Sequence, residues 1–162
     1  MLQYLVILIS FLGIFFGFLL RKIAKEEIKF GKFGNRYFIW LKRIVFLLLI
    51  LILLYFSENY LIVVIFAVIG FIVGIFLDEN LFLGSGLVFG FMNDNLLFVI
   101  SGLVFINGLV YGSFLRNLKK SLISLLFFVP FLLLFFSFSY YDYLIGFSCG
   151  GLLNYILRKK PY

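Results

Sequence analysis

Histidine is absent from this 162-residue chain, and cysteine occurs once. Without histidine, and with Cys149 as the one thiol, the chain lacks the usual ligand sets for zinc, haem and iron–sulfur clusters and cannot form an internal disulfide. A Ser-His-Asp or Cys-His catalytic system is excluded for the same reason. The glycine-rich signatures G-x-x-x-x-G-K-[ST] and G-x-G-x-x-G are also missing. The sequence therefore predicts no cofactor, no metal and no catalytic residue.

Apolar residues, in contrast, dominate the composition. The chain is 65% hydrophobic and contains 25 phenylalanines. A water-soluble domain of about 150 residues leaves roughly a third of its unfolded-chain surface wet, so this composition would create large exposed apolar patches. Lipid is the solvent that suits such a chain. Helices are expected, because transmembrane strands would need the alternating pattern of a barrel.

Apolar segments separated by short polar turns predict an all-α integral membrane protein, a seven-transmembrane-helix bundle that forms a single domain over residues 1–162. The predicted helices cover about 2–20, 39–57, 61–77, 79–93, 96–115, 122–139 and 143–157. The fourth segment is short: its apolar residues 81–92 would span only about 18 Å of a hydrocarbon core about 30 Å thick. Whether it crosses fully decides the topology.

The distribution of positive charge favours seven crossings. The chain carries 14 Lys and Arg residues and a net charge of +7. If all seven segments cross, the basic groups at 21–43, 116–120 and 158–160 lie on one side, as the positive-inside rule requires. The alternative, a fourth segment that enters and returns, would divide them. The prediction is a cell-membrane protein with its N-terminus outside and its C-terminus in the cytoplasm.

The polar segment 21–43 is predicted to be a cytoplasmic loop. Its basic residues alternate with aromatic ones, a combination that suits the headgroup region of an anionic leaflet. Arg21, Lys22, Lys42 and Arg43 are the predicted lipid-headgroup contacts. Docking of a cytosolic partner is the alternative, and no nucleic acid is expected, because the positive-inside rule already accounts for the charge.

Five GxxxG motifs place glycines one helical turn apart. They are Gly13/Gly17, Gly70/Gly74, Gly86/Gly90, Gly108/Gly112 and Gly146/Gly150. Such faces let helix backbones approach closely in lipid, where no hydrophobic force drives helices together. Packing within one bundle is the main interpretation. Contacts in a homo-oligomer or with another membrane subunit are the alternative.

Two local matches suggest an internal repeat. Residues 13–21 (GIFFGFLLR) resemble 108–116 (GLVYGSFLR), and residues 70–77 (GFIVGIFL) resemble 146–153 (GFSCGGLL). These matches relate the first predicted helix to the fifth and the third to the seventh, which gives a parallel 3+1+3 layout like that of SWEET-type transporters. Chance matching among abundant Gly, Phe and Leu is the preferred interpretation, and the repeat is the alternative.

Few polar residues fall within the predicted helices. Asn93, Asp94 and Asn95 follow the short fourth segment and, with Asn107, form a candidate substrate path, because short glycine-rich segments can mark broken helices. For residues 93–95 an outer turn is the preferred interpretation, because Asn and Asp favour turns. Asp78 and Glu79 are expected in an interfacial turn that water solvates.

These observations lead to three hypotheses of function. The first is a non-catalytic helical subunit or scaffold of a membrane assembly, with membrane lipids as neighbours. The second is a transporter of a small neutral or weakly polar solute. The third is a membrane enzyme that handles a lipid headgroup through Asp78 and Glu79.

Overall fold

The computed structural model describes residues 2–23, 32–90, 94–114 and 141–158, and every regular element within these ranges is an α-helix. The helices are α1 (Leu2–Ile23), α2 (Lys32–Tyr55), α3 (Tyr60–Val73), α4 (Glu79–Gly90), α5 (Asp94–Phe114) and α6 (Tyr141–Leu157). The chain is therefore all-helical over its described part. The predicted helix 122–139 lies outside the described residues.

The polar segment predicted as a loop is helical at both ends. Helix α1 continues through Arg21 and Lys22 to Ile23, and α2 begins at Lys32, well before the predicted start at 39. Lys, Arg and Leu are good helix formers, and the single glycine in the early part of α2, Gly34, costs only about 1 kcal/mol relative to alanine. The prediction placed the helix ends where the apolar residues end. The backbone hydrogen bonds of a helix do not depend on apolar side chains and can continue beyond that point.

The turn between α3 and α4 is tight and capped. Helix α3 ends at Val73 instead of the predicted 77, and the backbone then closes with the bonds Ile75 N to Ile72 O and Phe76 N to Val73 O. Asp78 then caps α4, since its Oδ1 accepts from Asn80 N at 3.1 Å. This side-chain bond satisfies one of the free N–H groups of the first turn.

The bundle consists of two helix pairs arranged around α4. Helix α1 packs on α5, α3 packs on α6, and α4 contacts both α5 and α6. Residues 81–88 of α4 are all buried. Helix α2 closes the core with Phe46, Leu49 and Leu53, each almost fully buried. The shortest apolar segment of the sequence is thus the central helix, and protein surrounds it on all sides.

Among the described residues, one helical stretch, Asn95–Ser113, has the length and hydropathy needed to cross a bilayer. Tyr60–Val73 is apolar but shorter. The described helices therefore do not by themselves support seven crossings.

Candidate functional site at the basic end of the bundle

Glycines bring the backbones of α1 and α5 into direct contact. A Cβ atom added at Gly13 would lie 2.5 Å from the carbonyl oxygen of Phe105, and one at Gly17 would overlap the carbonyl of Leu109. From the other side, Gly108 and Gly112 meet the backbone around Ile14. Because residue numbers rise together along the seam, α1 and α5 are parallel.

The pair α3–α6 is built in the same way. Gly70 faces the backbone of Phe147, and Gly146 and Gly150 face the backbones of Val63 and Ala67. At Gly74 the nearest atoms are looser, with Asn154 Cβ at 3.2 Å from an added Cβ. Numbers again rise together, so α3 and α6 are also parallel. Both seams join helices within one chain.

The fifth GxxxG motif forms no comparable seam. An added Cβ at Gly86 would meet Leu53 Cδ1 at 3.6 Å, which is ordinary contact. The surroundings of Gly90 lie outside the described residues. The other atom near an added Cβ at Gly86 is Ser148 Oγ of α6, at 3.8 Å. Gly86 therefore faces side chains of α2 and α6, whereas the glycines of the two parallel pairs permit backbone contact.

Parallel pairing gathers cationic side chains at one end of the bundle. Arg21 Nη1 donates to Ser113 O at 3.5 Å, Arg43 Nη2 donates to Arg158 O at 3.3 Å, and Arg158 Nη2 donates to Ile75 O at 3.1 Å. We call this end, defined by Arg21, Lys42, Arg43 and Arg158, the basic end. Three guanidinium groups there bond carbonyls at or near helix C-termini, where the helix dipole favours positive charge.

The opposite end is acidic. Asp142, at the start of α6, accepts hydrogen bonds from the backbone N–H groups of Glu58 and Asn59, both at 3.2 Å. Asn59 in turn caps α3 by accepting from Ile62 N at 3.4 Å. These contacts lock the start of α6 to the start of α3.

An ion pair lies inside the basic end. Lys42 Nζ is 2.5 Å from Glu79 Oε2, and the two side chains are 12% and 0% exposed. The ammonium also lies over the rings of Phe46 and Tyr111, at 5.6 and 5.2 Å from their centroids. Lys42 therefore does not occupy the headgroup position predicted for it, and Glu79 is not in a solvated turn. The short turn after α3 places Glu79 at the start of α4, beside Lys42 of α2.

Asp78 connects this ion pair to α5. Its Oδ1 accepts from Asn80 Nδ2 at 2.9 Å, and its Oδ2 accepts from Tyr111 OH at 3.1 Å. Nearby, Tyr155 OH donates to Leu77 O. We call Lys42, Asp78, Glu79, Asn80 and Tyr111 the Asp78–Glu79 cluster. It joins α2, the α3–α4 turn and α5 through polar contacts.

Further polar groups are buried among the helices. The hydroxyls of Ser85 and Ser148 touch each other, and each is 2.9 Å from Phe82 O. Asn107 is 0% exposed, and within the described structure neither its Nδ2 nor its Oδ1 has a hydrogen-bond partner. The same holds for Asn80 Oδ1 and Ser101 Oγ.

The described residues of the predicted substrate path lie at two levels of α5. Asp94 is the first residue of α5, Asn95 is exposed, and Asn93 lies outside the described residues. Asn107 is twelve residues further along α5, about 18 Å away. Of the other predicted headgroup contacts, Lys22 is exposed, whereas Arg21 and Arg43 are half-buried.

Sequence reasoning missed the Lys42–Glu79 pair. A usable signal was present: opposite charges at the same predicted end of the second and fourth helices. Chemically, the cluster offers carboxylate, ammonium, phenol and amide groups in a largely buried environment. No family model, curated protein or solved structure matches this chain.

Proposed function

We propose that the chain is a polytopic α-helical integral membrane protein, built on the seven-helix arrangement that its sequence predicts, and that it moves a small neutral or weakly polar solute. Its exterior supports the membrane location. Leu61 is 70% exposed and Val64 62%, and other exposed apolar side chains continue along α2 and α3. Contiguous apolar surface of this kind marks contact with lipid or protein.

Helix dimensions agree with this location. Helices α1 and α2 contain 22 and 24 residues, enough to extend about 33 and 36 Å. Tyr37 and Tyr55, 75% and 81% exposed, lie near opposite ends of α2 and about 27 Å apart along its axis. That spacing resembles the two aromatic belts of a bilayer. Helix α4 is shorter but surrounded by protein, so lipid need not match its length.

Sidedness follows from charge. The basic end contains Arg21, Arg43 and Arg158, and the acidic end contains Glu58 and Asp142. Under the positive-inside rule the basic end faces the cytoplasm, with the N-terminus outside and the C-terminus inside. To test this orientation, single cysteines would replace Lys22, Arg43 and Glu58 in a Cys149→Ser background. Labelling of intact cells by an impermeant reagent should reach position 58 alone, and labelling of position 22 or 43 would contradict the orientation.

Two observations favour transport over the scaffold. Four of the five glycine motifs that suggested partner faces are engaged inside the chain, and the parallel α1–α5 and α3–α6 pairs agree with the 3+1+3 repeat considered from the sequence. The observation that carries the proposal is the buried Lys42–Glu79 pair. Ionisable side chains inside a membrane protein are costly, face the interior and mark solute or ion pathways.

Flux in proteoliposomes tests the proposal. Permeation of small polyols and amides, followed by light scattering, should exceed that of empty vesicles and fall sharply in Glu79→Gln. Glu58→Gln at the exposed acidic end is the matched control and should permeate normally. If the wild-type protein adds no flux, the transport proposal fails.

One observation supports the alternative that the chain is a subunit of a membrane assembly. Helix α3 has a broad exposed apolar face that includes Val68 and Ile72. A partner seated there would appear as a stoichiometric companion after purification in mild detergent. Bulky polar substitution at Val68 should then release it. A monodisperse protein without a companion would reject this alternative.

A further inference from the structure

Asn107 lacks a hydrogen-bond partner in the described part of the structure, although it is fully buried. Both ends of its amide, the Nδ2 donor and the Oδ1 acceptor, are unpaired there. Buried polar groups are nearly always satisfied, and each exception requires an explanation such as a bound ligand or water. Asn107 is therefore a candidate contact for a molecule that enters the bundle.

Asn80 contributes a second unpaired atom, and Asp78 links this residue to Tyr111 of α5. Its Nδ2 donates to Asp78 Oδ1, and because a carboxylate only accepts, this bond fixes the amide orientation and leaves Asn80 Oδ1 unpaired. Tyr111 OH donates to the other oxygen of Asp78. Asn107 precedes Tyr111 by four residues, so the two share one face of α5, with Cβ atoms about 6 Å apart.

The unpaired atoms define the chemistry of a ligand. They comprise two carbonyl-type acceptors, from Asn80 and Asn107, and one NH₂ donor from Asn107. All three belong to neutral amides, and the neighbouring charges of Lys42 and Glu79 face each other. A complementary ligand is uncharged and carries at least two donors and one acceptor. Polyols and small amides have this composition.

We propose that Asn107 and Asn80, on either side of the Asp78–Tyr111 contact, form a binding site for a small neutral solute of the polyol or amide class. The site deepens the transport proposal and rests on it for its biological meaning, because it names the solute class and the residues that recognise it. Binding itself can be measured without transport. A water molecule offers similar hydrogen bonds, and the experiment separates the two.

Binding is tested by melting of the purified full-length protein in detergent. The single thiol, Cys149, is buried, so its reaction with a fluorogenic maleimide reports unfolding. Glycerol and acetamide should raise the wild-type midpoint in a saturable manner, and Asn107→Leu should abolish the saturable part. Asn154→Leu is the matched control: it also removes a buried asparagine, one whose Nδ2 already donates to Phe71 O at 3.0 Å. It should retain the response.

Equal responses of the wild-type protein and Asn107→Leu would overturn the site, and so would the absence of a saturable response, which is the outcome expected for water alone. If Asn107→Leu does not fold, Asn107→Ala removes the amide without adding bulk and serves the same comparison.

Flux measurements distinguish failure of the proposed binding site from failure of the proposed transport function. In proteoliposomes, Asn107→Leu should slow glycerol or acetamide entry at least about tenfold, the factor that corresponds to loss of one hydrogen bond of about 1.4 kcal/mol. Solute-dependent melting without flux would keep the binding site and reject transport. Flux and melting responses that Asn107→Leu leaves unchanged would keep transport and reject the site.

Discussion

The two parallel helix pairs share a glycine seam but differ in how polar groups support it. The α3–α6 pair is tied at both ends: Asp142 binds backbone N–H groups at the acidic end, and Asn154 and Arg158 bind Phe71 O and Ile75 O, one helical turn apart, near the basic end. Within the described residues of α1–α5, the contacts beside the glycine seam include the Arg21 bond to Ser113 O and the edge contact between Phe16 and Phe105.

This difference separates a fixed part of the bundle from a more adaptable one. Hydrogen bonds at both ends of the pair oppose sliding and rotation of α6 on α3. Close van der Waals contact holds α1 to α5 and tolerates small displacements better than a set of directional bonds does. Asn107, the unpaired amide, lies on α5. We therefore expect motion that admits a solute to occur at α5, with α3–α6 as the fixed frame.

The largest expected effect comes from adding a methyl group in each seam. In Gly150→Ala the new Cβ would overlap the backbone of Ala67, and in Gly112→Ala that of Ile14. Because α3–α6 cannot separate without losing its hydrogen bonds, we expect Gly150→Ala to cost about 3 kcal/mol and Gly112→Ala about 1–2 kcal/mol. The loss of stability in both variants is measured by heating the protein while the labelling of Cys149 is followed.

Gly102→Ala is the control for this comparison. Gly102 also lies on α5, yet an added Cβ there would meet nothing within 4 Å. Alanine in a helix interior is favoured over glycine by about 0.5–1 kcal/mol, so this variant should melt at or above the wild-type temperature. A Gly112→Ala loss as large as that of Gly150→Ala would contradict the claim that the two seams differ in rigidity.

The sequence was most informative where a pattern repeats along one helix. The paired glycines of α1, α3, α5 and α6 have a spacing that predicts close packing, and the structure places them at backbone contacts. The matched segments belong to helices that pack together and run in the same direction, although similarity alone did not predict that they would touch. Hydropathy located the described helices but misplaced their ends, because hydropathy does not record capping at Asp78 or helical continuation at Lys32.

The Asp78–Glu79 cluster was harder to predict, because its residues are distant in the sequence and come together only when the helices pack. Lys42 and Glu79 are separated by a whole helix and two turns, and each lies near a polar segment boundary where solvation is the ordinary expectation. Their burial follows from the central position of α4, which neither charge nor length indicates. Asn107 was identified as a polar residue in an apolar helix, but its missing partner is visible only in the packed bundle.

Removal of the two buried asparagines should have opposite effects on stability. Asn154→Leu deletes a hydrogen bond within α3–α6 and leaves Phe71 O without this donor, so it should destabilise the protein by about 0.6–1.7 kcal/mol, the range found for such bonds in membrane proteins. Asn107→Leu removes an amide that is unpaired in the described structure and replaces it with an apolar group, so it should stabilise the solute-free protein by about 1 kcal/mol. Loss of stability in both variants would show that Asn107 is satisfied in the folded protein.

The smallest effect is expected at the acidic end, where Asp142 fixes the start of α6 to the N–H groups of Glu58 and Asn59. These bonds are exposed to solvent, so Asp142→Asn should change the melting temperature little while weakening this one attachment. Hydrogen exchange resolves such a local change: the amides of residues 58 and 59 should exchange faster, and the amides of the glycine seam around Gly146 should keep their protection. Glu58→Gln alters an exposed neighbour whose side chain does not make these bonds, and it should leave both regions unchanged. If faster exchange spread from residues 58 and 59 along α3 and α6, Asp142 alone would hold the pair, and the bonds of Asn154 and Arg158 at the other end would contribute little to its rigidity.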